Sequence, residues 1–182
     1  TVTLLAGCGS KDGGETASNS DEITLAVVGP QTGDNAEYGK TMKTAVQIAV
    51  DEWNEKGGVI GKQIKLVDYD DANSSEQAAS IAEKIVGDES ICAVMGHFAS
   101  GVAMTAAEVY QEAGIALVNG SAAHMDYAKI GDCIFRNNAI YTTDANTMLQ
   151  IMEYLGVQKF GILNPNTDAG ISVTSAVQEM ME

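Results

Sequence analysis

The sequence predicts an α/β fold built on a doubly wound parallel sheet, and three kinds of observation carry that expectation. Short apolar runs rich in β-branched residues recur along the chain, longer segments between them place apolar residues at helical spacing, and glycine or a capping residue marks most of the changeovers. Strands alternating with helices of roughly three or four turns imply parallel βαβ units with right-handed crossovers and helices on both faces. At 182 residues the chain is long enough for one ordinary domain and part of a second.

The elements follow in order. Ile23 to Val28 is a buried strand ended by Gly29-Pro30, and the helix after it shows one face of Met42, Ala45, Val46, Ala49 and Trp53 before stopping at Gly57-Gly58. Gln63 to Tyr69 reads as the second strand. Ser74 with Gln77 is a capping-box signal that opens a helix with apolar face Ala78, Ile81, Ala82, Ile85 and Val86, closed by Gly87. Ile91 to Met95 is the third strand, followed by a helix through Ala106 and Tyr110 that stops at Gly114, and Ile115 to Val118 is the fourth. Beyond Asn119 the rhythm loosens over Gly120 to Gly131. It resumes with Cys133 to Arg136, a helix from Asp144 to Leu155, a strand from Lys159 to Leu163, and helical spacing at Val173, Ala176, Val177 and Met180. The expected organisation is residues 1–8 as the end of a signal segment, 9–21 as a tether, 22–120 as a first lobe and 121–182 as the start of an incomplete second lobe.

Composition narrows the function. Hydrophobic residues make up 45% and charged residues 19%, which excludes a disordered chain. With 25 acidic against 10 basic residues the formal charge is −15, a field that repels phosphate backbones and argues against nucleic-acid binding. Cys8, Cys92 and Cys133 are too few for a disulfide scaffold and lack zinc or CxxC spacing; Cys92 and Cys133 read as small core residues. Leu4-Leu5-Ala6-Gly7-Cys8 resembles the lipobox of bacterial lipoproteins, in which the signal peptide is cut before a cysteine that is then lipidated. The Gly, Ser, Thr and Asn-rich stretch from Gly9 to Ser20 has the composition of a tether. The resemblance implies a lipid anchor at Cys8 and an extracytoplasmic location. Only Thr1 to Leu5 precede the small residues of the cut, and Glu182 falls within a helical pattern without a stop signal, so both ends are expected to lie inside longer elements.

In an open α/β sheet, ligands bind beyond the carboxyl ends of the strands. The loops there are Gly29 to Tyr38, Asp68 to Ser75, Gly96 to Gly101 and Asn119 to His124. The third leads into a helix N-terminus at Ser100, where the N–H groups of Gly101 and Val102 suit a carboxylate. The ordered motifs Val28-Gly29-Pro30-Gln31-Thr32-Gly33, Ala36-Glu37-Tyr38-Gly39, Lys56-Gly57-Gly58-Val59-Ile60-Gly61-Lys62, Asp70-Asp71-Ala72, Gly96-His97 and Glu112-Ala113-Gly114-Ile115 resemble the type I periplasmic binding proteins. Within them the likeness is to the branched-chain amino-acid-binding proteins of ABC importers, from Ile23 to about Gly170. The resemblance implies two lobes that close on an amino acid, no enzymatic chemistry, no cofactor or metal, and delivery of the solute to a membrane permease. It implies that Ser100 grips the α-amino-acid head group, that Phe98 and Ala99 line the pocket with Tyr38 of the first loop, and that Ser121, Ala122 and Ala123 form a second gripping segment. Two positions depart from the family pattern: Ala123 stands where a threonine hydroxyl is usual, and Ala169 stands in place of an aromatic before Gly170. One lost hydrogen bond is worth about 0.5 to 1.5 kcal/mol, so a branched-chain amino acid is the default cargo, beside amides, urea or aromatic acids.

Other readings use the same residues. His97 and His124 with Asp68, Asp70 and Asp71 lack metal-ligand spacing, and His97 reads better as a structural hydrogen-bonding residue. Ser100 is not in a G-x-S-x-G elbow, which disfavours a small hydrolase, and the Gly29 to Gly33 loop has no nucleotide-binding pattern. A ligand sensor for a signalling partner is the alternative among binding proteins. The helical methionines and Trp53 read as packing residues, Trp53 anchoring its helix on the sheet.

Overall fold

The computed structural model describes residues 22–164 and 166–181. Cys8 and the tether therefore lie outside the described residues. The elements are β1 (Glu22–Gly29), α1 (Ala36–Glu55), β2 (Gln63–Asp70), α2 (Ser75–Val86), β3 (Ile91–Gly96), α3 (Ser100–Ala113), β4 (Ala116–Asn119), a 3-10 turn (Tyr127–Lys129), β5 (Ile134–Arg136), α4 (Tyr141–Tyr154) and α5 (Asp168–Met181). The five strands form one sheet in the order β2-β1-β3-β4-β5, and every neighbouring pair is parallel. This is the α/β parallel sheet that the sequence predicts. Because the order reverses at β1, the loops after β1 and β3 diverge and leave a crevice between them.

The helices divide unequally between the faces. α2 and α3 close one face, burying Ala78, Ala82 and Ile85 of α2 and Val102, Ala103, Ala106, Ala107 and Tyr110 of α3 with Ala26, Val28, Val94 and Leu117 of the sheet. Alanine along both helices lets their backbones approach and thickens the core without large side chains. α1 lies over β1 and β2 on the other face, and within it only Gly39 and Val50 are buried. Ala45, Ala49 and Trp53, expected to pack inward, are exposed, Trp53 by 54%. No second described helix stands beside α1, so its apolar stripe runs past the sheet and borders an open groove with Leu25, Ile64 and Met95.

Other differences follow from local hydrogen bonding. Ser74 caps α2 as expected, its Oγ accepting from Gln77 N–H. β4 begins at Ala116 rather than Ile115, because Ile115 N–H bonds back to Tyr110 O across the left-handed Gly114 and completes the end of α3. The boundary expected between residues 120 and 121 runs through the sheet, since β5 is its fifth strand. α4 and α5 pack through Ala145, Leu149, Ala176 and Val177. The strand expected from Lys159 to Leu163 is not formed. These residues are exposed and irregular, and no described strand lies alongside to accept their backbone hydrogen bonds.

Candidate functional site

Two glycines set the site's backbone. A Cβ on Gly39 would lie 1.8 Å from Pro30 O, and one on Gly96 would lie 2.0 Å from Val28 O. The first turn of α1 therefore rests directly on the β1–α1 loop, and the end of β3 rests on β1. These approaches bring Tyr38 and Phe98 together, their rings stacked at 4.4 Å with planes 17° apart.

Side-chain hydrogen bonds of Asp70, Asp71, His97 and Asn119 tie the loops to one another. Asp70 accepts from Gln31 N–H at 2.7 Å, Ala72 N–H at 2.9 Å and the Thr32 hydroxyl at 2.7 Å, joining the β2–α2 loop to the β1–α1 loop. Burial opposes ionisation of Asp70, but the hydrogen bonds from Thr32, Gln31 and Ala72 outweigh it and hold its carboxyl below the usual range. Its stabilising contribution is therefore present above the ordinary aspartate pKa and is lost as pH falls through the lowered value. Asp71 and His97, both fully buried, meet at 2.7 Å between Oδ2 and Nδ1. Asn119, also fully buried, donates from Nδ2 to His97 O at 2.8 Å, while its Oδ1 accepts from Ser121 N–H at 2.7 Å and Ala122 N–H at 2.6 Å.

These ties surround a cavity of about 540 Å³ whose walls include Asn35, Asn73, Ser75, Phe98, Ala99, Ser100, Gly101, Val102, Ser121, Tyr141 and Thr167. α3 opens into it without a side-chain cap. Its first backward bond runs from Ala103 N–H to Ala99 O, so the N–H groups of Gly101 and Val102 precede the helical ladder and carry the positive end of its dipole. Ser100 Oγ accepts from Ala123 N–H at 3.2 Å, which leaves its own hydrogen to donate. The Ser121 hydroxyl donates to Phe98 O at 2.7 Å. The described wall mixes apolar and polar groups, carries no charged side chain and offers donors at α3, an arrangement that suits a carboxylate.

Of the residues singled out from sequence, Phe98, Ala99, Ser100 and Ser121 share this wall. Tyr38 lies beside it, in a neighbouring groove that also includes Phe98 and Ser121. Ala122 and Ala123 are buried behind the wall, their N–H groups donated to Asn119 and Ser100. Asn35, Asn73 and Ser75 were not singled out, although they fall within the loops expected at the strand ends; Tyr141 and Thr167 carried no sequence signal. The acidic and histidine residues considered as metal ligands are engaged in hydrogen bonds and ion pairs. Asp68 pairs with Lys43, Asp71 with His97, and His124 Nδ1 accepts from Asp126 N–H.

A family model described as periplasmic binding protein matches residues 22–182. The chain is 31% identical over 179 residues to the Leu/Ile/Val/Thr-binding protein of Salmonella typhimurium, covering 97% of this chain and 48% of that protein. It is 32% identical over 178 residues to the Leu/Ile/Val-binding protein of Escherichia coli, with 97% and 48% covered. Among solved structures, the branched-chain amino acid transporter substrate binding protein of Streptococcus pneumoniae, in complex with isoleucine, superposes with a TM-score of 0.77 at 28% identity, covering 87% of this chain and 46% of that one. The chain belongs to the periplasmic binding protein family and spans about half the length of the curated relatives it matches.

Proposed function

We propose that this chain is the solute-gripping portion of an extracytoplasmic binding protein of an ABC importer, which captures an amino acid, by default a branched-chain one, between two lobes and delivers it to a permease. The observation that carries the reading is the uncapped N-terminus of α3 opening into the cavity with the Ser100 hydroxyl beside it. A carboxylate there would meet two backbone N–H groups, a hydroxyl and the helix dipole at once. Lobe closure would bury the solute and make the closed form the one a permease reads, so the ligand acts by shifting population. Cys8, in its lipobox-like setting, would carry the lipid that holds the protein at the membrane.

Titration calorimetry of the complete gene product against amino acids, amides and aromatic acids tests the reading. Tight one-to-one binding of an amino acid is expected, and Ser100→Ala should weaken it by about 1 to 3 kcal/mol with the fold intact. Unchanged affinity in Ser100→Ala would remove the carboxylate assignment. In cells, Cys8→Ser should move the protein from the membrane fraction to the soluble one; retention at the membrane would exclude a lipid anchor at this cysteine.

A further inference from the structure

One amide stands behind both turns of the site. Asn119 ends β4, is fully buried and does not line the cavity. Its Nδ2 donates to His97 O at 2.8 Å and so holds the β3–α3 turn, while its Oδ1 holds the turn that follows β4. There it accepts from Ser121 N–H at 2.7 Å, closing an Asx turn, and from Ala122 N–H at 2.6 Å. The Ser121 hydroxyl runs beside this clip, donating to Phe98 O at 2.7 Å. The next N–H, that of Ala123, reaches Ser100 Oγ at 3.2 Å. The opposite edge of the segment is tied to the chain that leads into α4, since Asn138 Nδ2 donates to Ser121 O at 3.0 Å and Tyr141 N–H to Ala123 O at 3.2 Å.

The end of this segment cannot hold its shape through its own side chains. Ala122 and Ala123 carry no polar group, and Ala123 stands where the family pattern has a hydroxyl. Order is supplied from behind instead. A buried amide that commits its donor to one turn and its acceptor to another fixes their separation, because water does not reach it to replace either bond. We infer that Asn119 is a positioning residue for solute binding, which sets the spacing between the β3–α3 turn and segment 121–123 and, through Ala123 N–H, the direction of the Ser100 hydroxyl. The inference rests on the solute-binding function proposed above. With Ala123 N–H on a lone pair, Ser100 Oγ keeps its hydrogen for a carboxylate at the α3 N-terminus. Without that bond the hydroxyl turns among its staggered positions and the donors lose their common aim. Asn119 acts through Ser100 and does not itself touch the solute.

A double-mutant cycle tests this, read by calorimetry of the complete gene product with L-leucine, L-isoleucine and L-valine. Asn119→Ala removes the whole clip. Asn119→Asp keeps the size of the side chain and the oxygen that accepts from Ser121 and Ala122 but cannot donate to His97 O, and it carries the cycle if Asn119→Ala does not fold. Each is combined with Ser100→Ala. Asn119→Ala should weaken the amino acids about tenfold and Asn119→Asp by less. In the Ser100→Ala background both losses should shrink below about twofold, because the group that Asn119 aims is gone. 4-Methylpentanoate, the leucine skeleton without its amine, should lose by the same factor as L-leucine, since both present a carboxylate. If the folded Asn119 variant binds as tightly as the unmutated protein while Ser100→Ala loses affinity, the role of Asn119 is overturned and the solute-binding function stands. An equal factor of loss with and without Ser100→Ala also overturns it, as does a loss confined to L-leucine. Silence of the unmutated protein toward all three amino acids overturns the default cargo and the inference together.

Discussion

Asp71 does two jobs with one carboxylate. Oδ1 fixes the left-handed turn at Asn73, and Oδ2 grips His97 across the end of β1, so a single side chain ties a loop shape to the β3–α3 turn that carries Ser100. Both partners are fully buried, and water cannot replace either one. Removing one member of a buried pair leaves the other unsatisfied, which costs about 3 to 5 kcal/mol. Asp71→Ala should lower unfolding stability by that amount in urea titrations and weaken solute binding as well. Asp71→Asn, which keeps an acceptor for Asn73 N–H, should lose less of both. A loss in Asp71→Ala under about 1 kcal/mol would place it in the range of ordinary exposed pairs and show that the contact does not clamp the loops.

The elements were legible where their own residues settle their environment. β1 to β4 are short apolar runs that sit in the sheet within about a residue of the expected bounds, and Ser74 announces α2 through a bond it makes locally. Lys159 to Leu163 has a similar pattern but no described neighbour, which separates strand propensity from strand formation: a parallel strand exists only through its ladder. The stripe on α1 shows the same limit from the helical side. Met42, Val46 and Val50 turn toward the sheet, but whether Trp53 is covered depends on what lies beside α1, and periodicity carries no information about that. Within the site, Ser100 was legible because a strand, a short turn and a helix follow one another in sequence, whereas Phe98 was singled out only through the family resemblance. Asn73 and Asn119 were not legible. Their placement depends on bonds to Asp71, His97, Ser121 and Ala122, made across loops that the sequence separates by as many as 26 residues at the Asp71–His97 contact.

At the scale of the whole chain, the charge acts as a filter that no single contact reveals. The chain carries 25 acidic and 10 basic residues, and several lysines are already committed to local pairs, Lys40 with Glu37, Lys43 with Asp68 and Lys129 with Asp126. The net −15 therefore projects a negative field around a cavity whose wall offers hydrogen-bond donors and no described charged side chain. A free carboxylate approaching it is repelled until it comes within reach of the α3 N-terminus. An amino acid, net neutral at pH 7, approaches with its ammonium compensating the acid. Salt screens the field, with a Debye length of about 10 Å at 0.1 M, and so removes the penalty on the anion alone. In stopped-flow binding between about 20 and 300 mM NaCl, the association rate of L-leucine should stay nearly constant while that of 4-methylpentanoate rises several-fold. Equal salt responses would mean that the local field of α3, and not the net charge, governs entry.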